Sequence, residues 1–183
     1  VNPLPSFCLM GSVLFRVEAG VGVGLGHLQR CVALATGLAE LRHKSIFLSS
    51  GGAHSLARIE HAGFLAIDLS DITPGSETDA EFTLAAIADH QSGAIVTDSY
   101  LLDQEYMRIV SSSSAALVVI DDLIRKIPSA RIIVNTTIDA DGTAYGELHH
   151  NAQLLMGIEY ALLSPPYWEL TPRKIAKRPH RLL

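Results

Sequence analysis

The sequence predicts an α/β fold, a Rossmann-like parallel sheet with helices on both of its faces. Short apolar runs alternate along the chain with longer amphipathic segments, which is the pattern of repeated βαβ units. The apolar runs are nearly continuous, as expected for strands whose two faces are both covered. Apolar residues make up 48% of the 183 residues and charged residues 18%, a composition that can bury one core.

The first βαβ unit begins with a strand predicted at 12–17 and a glycine-rich turn at 20–26. The helix expected at 27–42 has apolar residues at i, i+3, i+4 and i+7 spacing, among them Leu28, Cys31, Val32 and Ala35. A strand at 45–48, a helix at 53–62 and a strand at 64–69 follow. Gly63 is typical of the residue just beyond a helix C-terminus.

The second half of the chain continues this alternation. After a polar loop at 73–78, the pattern predicts helices at 79–90 and 102–111, and strands at 94–97, 117–120, 132–134 and 154–156. Pro165, Pro166 and Pro172 then indicate a break. We therefore expect one amino-terminal domain over residues 1–170, followed at 171–183 by a linker and the start of a missing carboxyl-terminal domain.

Charge and cysteine content argue against several classes of protein. The net charge of −5 is unlike that of a nucleic-acid-binding surface, and the basic cluster at 173–181 is typical of a solvated linker. Cys8 and Cys31 have no CxxC or zinc-type spacing, so we expect free thiols. No cluster of acidic residues suits a metal either, and we expect neither a metal site nor a cofactor. Without a signal peptide or a membrane-spanning stretch, the sequence predicts a cytoplasmic protein that contacts no membrane.

The glycine-rich turn is not a dinucleotide fingerprint. Counting from Gly20, the third glycine of G-x-G-x-x-G would fall on Leu25, and counting from Gly22 it would fall on His27. The turn also lacks the Lys-Ser/Thr pair of a phosphate-binding P-loop. Two interpretations stay open: a tight strand-to-helix turn, or a site where free backbone N–H groups at a helix N-terminus bind an anion or a hydroxyl-rich ligand.

His27 lies at the start of that helix. The partial positive charge of a helix N-terminus disfavours the imidazolium form, and a neutral imidazole is suited to act as a general base near neutral pH. The same position also fits a residue that merely caps the helix, and the residue pattern does not choose between the two roles. His149 and His150 are adjacent, so they would point apart as metal ligands.

Polar residues follow other predicted strands, and carboxyl ends of parallel strands meet at one edge, where ligands bind. Asp98 and Tyr100 can face the same cleft as His27, or Asp98 can cap the turn into the next helix. Asp121 and Asp122 have the same two interpretations, and the structural one is favoured. Residues expected along the same edge after further strands are Glu18 and Asn135.

The chain carries in this order the segments RVEA at 16–19, GLGHLQRC at 24–31, TDSY at 97–100, IDDL at 120–123 and GIEYALL at 157–163. This set, which runs from Arg16 to about Tyr167, resembles the UDP-2,4-diacetamido-2,4,6-trideoxy-β-L-altropyranose hydrolases of pseudaminic acid biosynthesis, whose relatives include a spore-coat polysaccharide biosynthesis protein. That family reads R-x-D-A and then G-x-G-H-x-x-R-C. Glu18 stands where the family usually has Asp, and Ser164 where Arg is common.

The resemblance implies the amino-terminal half of a GT-B fold, in which the active cleft lies between two Rossmann-like domains. It also implies metal-independent hydrolysis of a UDP-linked diacetamido-trideoxy sugar at the anomeric carbon, with release of UDP and inversion. His27 matches the family's general base and Tyr100 a residue of its cleft. We expect Asp98 to complete the catalytic set. The expected substrate-binding residues are Glu18, Gly24, Gly26, Arg30 and Asn135.

Three other functions remain open at this point. A GT-B glycosyltransferase shares the early glycine-rich loop and a similarly placed histidine, and would transfer the sugar to an acceptor instead of water. A truncated, inactive domain that binds a partner is the second, and a nicotinamide-binding domain, disfavoured by the failed fingerprint, is the third. Because GT-B proteins hold uridine and diphosphate mainly with the carboxyl-terminal domain, we expect little hydrolase activity from the isolated 183-residue chain.

Overall fold

A computed structural model describes residues 11–19, 25–125, 127, 129–140, 142–148 and 151–170. Within these residues, parallel strands form one seven-stranded sheet in the order β3-β2-β1-β4-β5-β6-β7. The strands are β1 Ser12–Val17, β2 Ser45–Ser49, β3 Leu65–Asp68, β4 Ser92–Asp98, β5 Ala116–Ile120, β6 Ile132–Asn135 and β7 Gln153–Met156. The helices are α1 Gly26–Glu40, α2 Gly52–His61, α3 Glu77–Asp89, α4 Gln104–Val110 and α5 Thr143–Leu148.

The two faces of the sheet carry separate apolar clusters. Successive residues of a strand point to opposite faces, so Leu14 packs into the cluster that also contains Tyr106 of α4, and Phe15 packs into the cluster that contains Leu28 and Cys31 of α1. Burial on both faces explains why the strands read as continuous apolar runs. The predicted α/β sheet with helices on both faces is confirmed.

Side-chain caps set the helix starts that the periodicity placed only approximately. The hydroxyl of Ser76 accepts a hydrogen bond from the backbone N–H of Asp79, so α3 begins at Glu77 rather than at 79. The carboxylate of Asp103 accepts from the N–H of Tyr106, so α4 begins at Gln104 rather than at 102. Gly63 follows Ala62, the C-cap residue of α2, and has a φ of 89°, as predicted for a residue beyond a helix C-terminus.

Two elements differ from the prediction in ways that matter for the site. Strand β4 extends to Asp98, so the backbone of this residue is held by the sheet ladder, in register with Val17 of β1. Helix α5 was not predicted, because six residues that include Gly146 are too few to show a helical period. This short helix carries Tyr145, which is fully buried.

The segment after β7 contains two short 3₁₀ helices, Ile158–Tyr160 and Pro165–Tyr167. The indole N–H of Trp168 donates to the carbonyl oxygen of Leu163 at 2.6 Å, and its ring lies close to Gly37 of α1. The predicted proline break at Pro165 and Pro166 falls in the second of these 3₁₀ helices, where both prolines are exposed. Pro172 and the predicted linker at 171–183 lie outside the described residues. No helix in the described part of the chain is long and apolar enough to cross a membrane.

Candidate active site at the sheet switch point

Strands β1 and β4 lie side by side at the centre of the sheet, and the chain leaves them in opposite directions. From β1 it proceeds through α1 to β2, and from β4 it proceeds through α4 to β5. A crevice beyond the carboxyl ends of the strands at such a switch point is where open α/β sheets bind ligands. His27 lies in the first turn of α1, and Asp98 is the last residue of β4, so both flank this point.

His27 and Asp98 form a buried hydrogen-bonded pair. Nδ1 of His27 lies 2.6 Å from Oδ1 of Asp98, and the two residues are 7% and 0% exposed. Burial alone would raise the pKa of Asp98, but hydrogen bonds from Arg30 and His27 lower it below its ordinary value, so the carboxylate is ionised. An ionised carboxylate only accepts, so Nδ1 carries the proton and Nε2 of a neutral ring holds the free lone pair.

Arg30, one turn further along α1, holds Asp98 from the other side. Its Nε donates to Oδ2 of Asp98 at 2.5 Å, and its Nη2 donates to Oδ1 at 2.6 Å. Its Nη1 donates to Oδ2 of Asp122 at 2.8 Å. Burial would lower the pKa of Arg30, but these two carboxylates raise it, so the guanidinium stays charged. Cys31, a buried free thiol as predicted, lies 3.6 Å from Asp98.

Tyr100 contacts both Asp122 and His27, and so completes a closed set of contacts. Its hydroxyl donates to Oδ2 of Asp122 at 3.3 Å, and its aromatic ring meets the imidazole of His27 edge to face, with centroids 4.7 Å apart. Partial burial and the Asp122 carboxylate raise the pKa of Tyr100, so the phenol is protonated and donates. We call His27, Asp98, Arg30, Asp122 and Tyr100 the switch-point cluster.

The start of α1 offers backbone donors beside this cluster. Leu25 is the N-cap residue, and no described side chain caps the helix or places an acidic group in its first turn. N–H groups in the first turn of a helix lack partners within the helix, and they can bind a ligand. Gly26 leaves open space, since a Cβ built there would meet no described atom within 4 Å. Gly24 and the rest of the 20–24 turn lie outside the described residues.

Glu18 belongs to a different network. It pairs with Arg16 and accepts a hydrogen bond from Ser50 at 2.5 Å, while Arg16 also makes a bidentate contact with Asp79 of α3. Arg16, Glu18 and Asp79 are all buried. The structure thus does not bring Glu18 into the switch-point cluster, and its predicted role in substrate binding stays a prediction.

Asn135 is also engaged within the chain. Its Nδ2 donates to the hydroxyl oxygen of Tyr145 at 3.1 Å, and its Oδ1 accepts from the N–H and the hydroxyl of Thr137. Tyr145 donates in turn to the carboxylate of Asp121, which also accepts from Arg125. Asp121 therefore orders the loop after β5, in line with the structural role favoured from the sequence.

No protein-family model and no curated protein matches this chain. Among solved structures, the chain is similar to a glycosyltransferase from Rickettsia africae ESF-5, with a TM-score of 0.57 and 15% identity over 79% of this chain. It is also similar to MurG from Acinetobacter baumannii, with a TM-score of 0.52 and 9% identity over 70% of this chain. The chain spans 42% of the length of each of these structures.

The fold is that of one half of a GT-B protein. At 9% and 15% identity the comparison concerns the fold alone. It confirms the predicted fold class, an α/β Rossmann-like sheet of the kind that forms the amino-terminal half of GT-B proteins.

Sequence reasoning did not anticipate three features of this edge. Asp122 was assigned a structural role beside Asp121, although the two carboxylates face different partners. Arg30 was expected to bind substrate, yet three of its N–H groups are used by Asp98 and Asp122. Tyr145 was not predicted because α5, the helix that carries it, was not predicted. The IDDL segment was the available signal for Asp122, since adjacent residues at a strand end point in different directions.

The chemistry available at this edge is proton transfer. Among the described residues, no three metal-ligating side chains come together. A cavity of about 290 Å³ is bordered by Tyr100 and Arg125, and another of about 390 Å³ by Asp122 and Asn135. The His27–Asp98 pair combines a buried, ionised carboxylate with an imidazole that it orients, an arrangement suited to removing a proton from a hydroxyl group or water.

Proposed function

We propose that the protein is a sugar-nucleotide hydrolase that cleaves a UDP-linked diacetamido-trideoxy sugar at its anomeric carbon, with His27 as the general base. The observation that carries this proposal is the 2.6 Å hydrogen bond between Nδ1 of His27 and the buried Asp98 carboxylate. It orients the imidazole and leaves Nε2 to accept a proton. The segments that resemble the hydrolase family contain both residues.

In this mechanism Nε2 of His27 takes a proton from water as the water oxygen attacks the anomeric carbon. The bond between that carbon and the UDP oxygen breaks, its electron pair leaves with UDP, and the configuration inverts. The imidazolium that forms is stabilised by Asp98, whose depressed pKa keeps it ionised. UDP is a good leaving group, so the main tasks of the site are to orient water and remove its proton.

The test uses the complete protein that contains this chain, with UDP-sugars and no added acceptor, in ¹⁸O-labelled water. We expect equimolar UDP and free sugar, with no ¹⁸O in UDP, because the bond that breaks is on the sugar side of the oxygen. His27→Gln is expected to reduce kcat by about 10²- to 10⁴-fold, the usual contribution of a positioned base. His43→Gln, beyond the other end of α1, is the matched control and is expected to keep wild-type kcat.

A glycosyltransferase is the second candidate, and the likeness to two solved glycosyltransferase-fold proteins favours it. The same His27–Asp98 pair would then deprotonate an acceptor hydroxyl. If UDP is released only after an acceptor sugar is added, the reaction is sugar transfer and not hydrolysis. An unchanged kcat in His27→Gln would show that His27 is not the general base of either reaction.

A further inference from the structure

Asp122 is the point at which the switch-point cluster closes. Its Oδ2 accepts from Nη1 of Arg30 at 2.8 Å and from the hydroxyl of Tyr100 at 3.3 Å. The Arg30 branch leads through Asp98 to Nδ1 of His27, and the Tyr100 branch leads to the imidazole through the edge-to-face ring contact. One carboxylate therefore restrains the imidazole from two directions.

Both branches need such an anchor. Tyr100 is 48% exposed and follows the end of β4, so little packing fixes its ring once the hydroxyl is released. The planar guanidinium of Arg30 donates on one side to Asp98 and on the other to Asp122, and a guanidinium held at both sides has its plane defined. The position of the Asp98 carboxylate follows from that plane.

Asp122 differs from a residue that only orders its own loop. Among the described residues its buried Oδ1 has no hydrogen-bond partner, while its Oδ2 binds the two side chains that contact Asp98 and His27. Asp121 provides the contrast, because both of its carboxylate oxygens are hydrogen-bonded and it orders the local loop. The two neighbouring carboxylates thus have different tasks.

We propose that Asp122 is a positioning residue that holds Arg30 and Tyr100 against the His27–Asp98 pair and so keeps the imidazole aligned for proton removal. Asp122 acts through these neighbours and touches no reacting atom. The kinetic part of this inference rests on the proposed general-base role of His27; the geometric part concerns the hydrogen bond of Nδ1 alone.

The kinetic test compares Asp122→Asn with Asp89→Asn, which removes the same charge from an exposed carboxyl at the end of α3, on the side of the sheet where β4 begins. We expect Asp122→Asn to lose about tenfold or more in kcat, part of the contribution of a positioned base, with KM within about twofold of wild type. Asp89→Asn keeps wild-type kcat. The loss in the double variant Asp122→Asn/Tyr100→Phe is smaller than the product of the two single losses, because both changes release the same contact.

The second test needs no turnover. The Nδ1–H proton of His27 is observed by NMR in the complete, ¹⁵N-histidine-labelled protein and assigned by its absence in His27→Gln. We expect this proton to exchange faster with water in Asp122→Asn than in wild type, and its exchange to be unaltered in Asp89→Asn. Tyr100→Phe, which removes one hydroxyl from an exposed residue, gives the same comparison if Asp122→Asn does not fold.

The outcomes separate the two proposals. Wild-type protein that releases no sugar, combined with faster Nδ1–H exchange in Asp122→Asn, would reject the hydrolase and retain the positioning role. A folded Asp122→Asn protein with wild-type Nδ1–H exchange and a kcat within about twofold of wild type would overturn the positioning role, whatever reaction the protein performs.

Discussion

Replacing Asp98 by Asn tests the chemistry of the site at its centre. Arg30 donates to both oxygens of the Asp98 carboxylate, so an amide NH₂ group in place of either oxygen would face an Arg30 N–H, and the negative charge that stabilises the imidazolium would be lost. Where the NH₂ group replaces Oδ1, it faces Nδ1 of His27, so Nδ1 has to accept and the ring proton moves to Nε2. A protonated Nε2 in a neutral ring has no lone pair with which to take a proton from water or from an acceptor.

The size of the effect follows from these contacts. Loss of a positioned base costs about 10²- to 10⁴-fold in kcat, which is about 2.7–5.5 kcal/mol in activation free energy. The same substitution also lowers the free energy of unfolding, but not enough to unfold the domain. The carboxylate accepts three strong hydrogen bonds from charged or polarised donors, and weakening them costs about 3 kcal/mol, the lower end of the range for breaking a buried ion pair. A domain with about 5–15 kcal/mol of stability remains folded.

The assay is UDP release by the complete protein, with urea unfolding of each variant as the check on folding. Asp89→Asn serves as the control for loss of a negative charge away from this edge and is expected to match wild type. A folded Asp98→Asn protein with kcat within about tenfold of wild type would refute the tautomer argument, since it would show that the proton on Nδ1 is not required.

Three further predictions concern stability and are checked by urea unfolding. Phe47→Ala is expected to cost about 3–5 kcal/mol because the ring is fully buried, whereas Phe82→Ala, at a half-exposed ring, costs much less. Gly75→Ala is expected to destabilise the fold by more than about 1 kcal/mol, because φ is +76° and a Cβ would lie 2.3 Å from a backbone carbonyl oxygen. Gly146→Ala is the control: a Cβ there meets no described atom within 4 Å, and the change is expected to be neutral or to stabilise by up to about 1 kcal/mol. The folded-state pKa of Asp98 lies below its ordinary value of 3.8, so the stability that its ionised form contributes is complete above about pH 4 and is lost as the pH falls through that lower pKa. The difference in unfolding free energy between wild type and Asp98→Asn should therefore shrink below pH 4. A constant difference would contradict the assigned ionisation.

The position of the candidate site could be predicted because it depends on local patterns. The strand, the glycine-rich turn and the amphipathic helix place His27 at a helix start, and the apolar run at 94–97 places Asp98 at a strand end. Knowing that such ends share one edge in a parallel sheet was enough to expect these residues together. The same reasoning did not separate Asp121 from Asp122, because both follow β5 and only their partners distinguish them.

The sequence by itself determined the alternation of strands and helices, the two-sided burial of the sheet and the place of His27 in the first turn of α1, because each depends on the periodicity and backbone preferences of neighbouring residues. Only the tertiary structure decided the partners: Asp98 reaches His27 across 71 residues of chain and Asp122 reaches Arg30 across 92. Contacts over such separations depend on the order of strands in the sheet and on the direction of each side chain. Local periodicity contains no information on either.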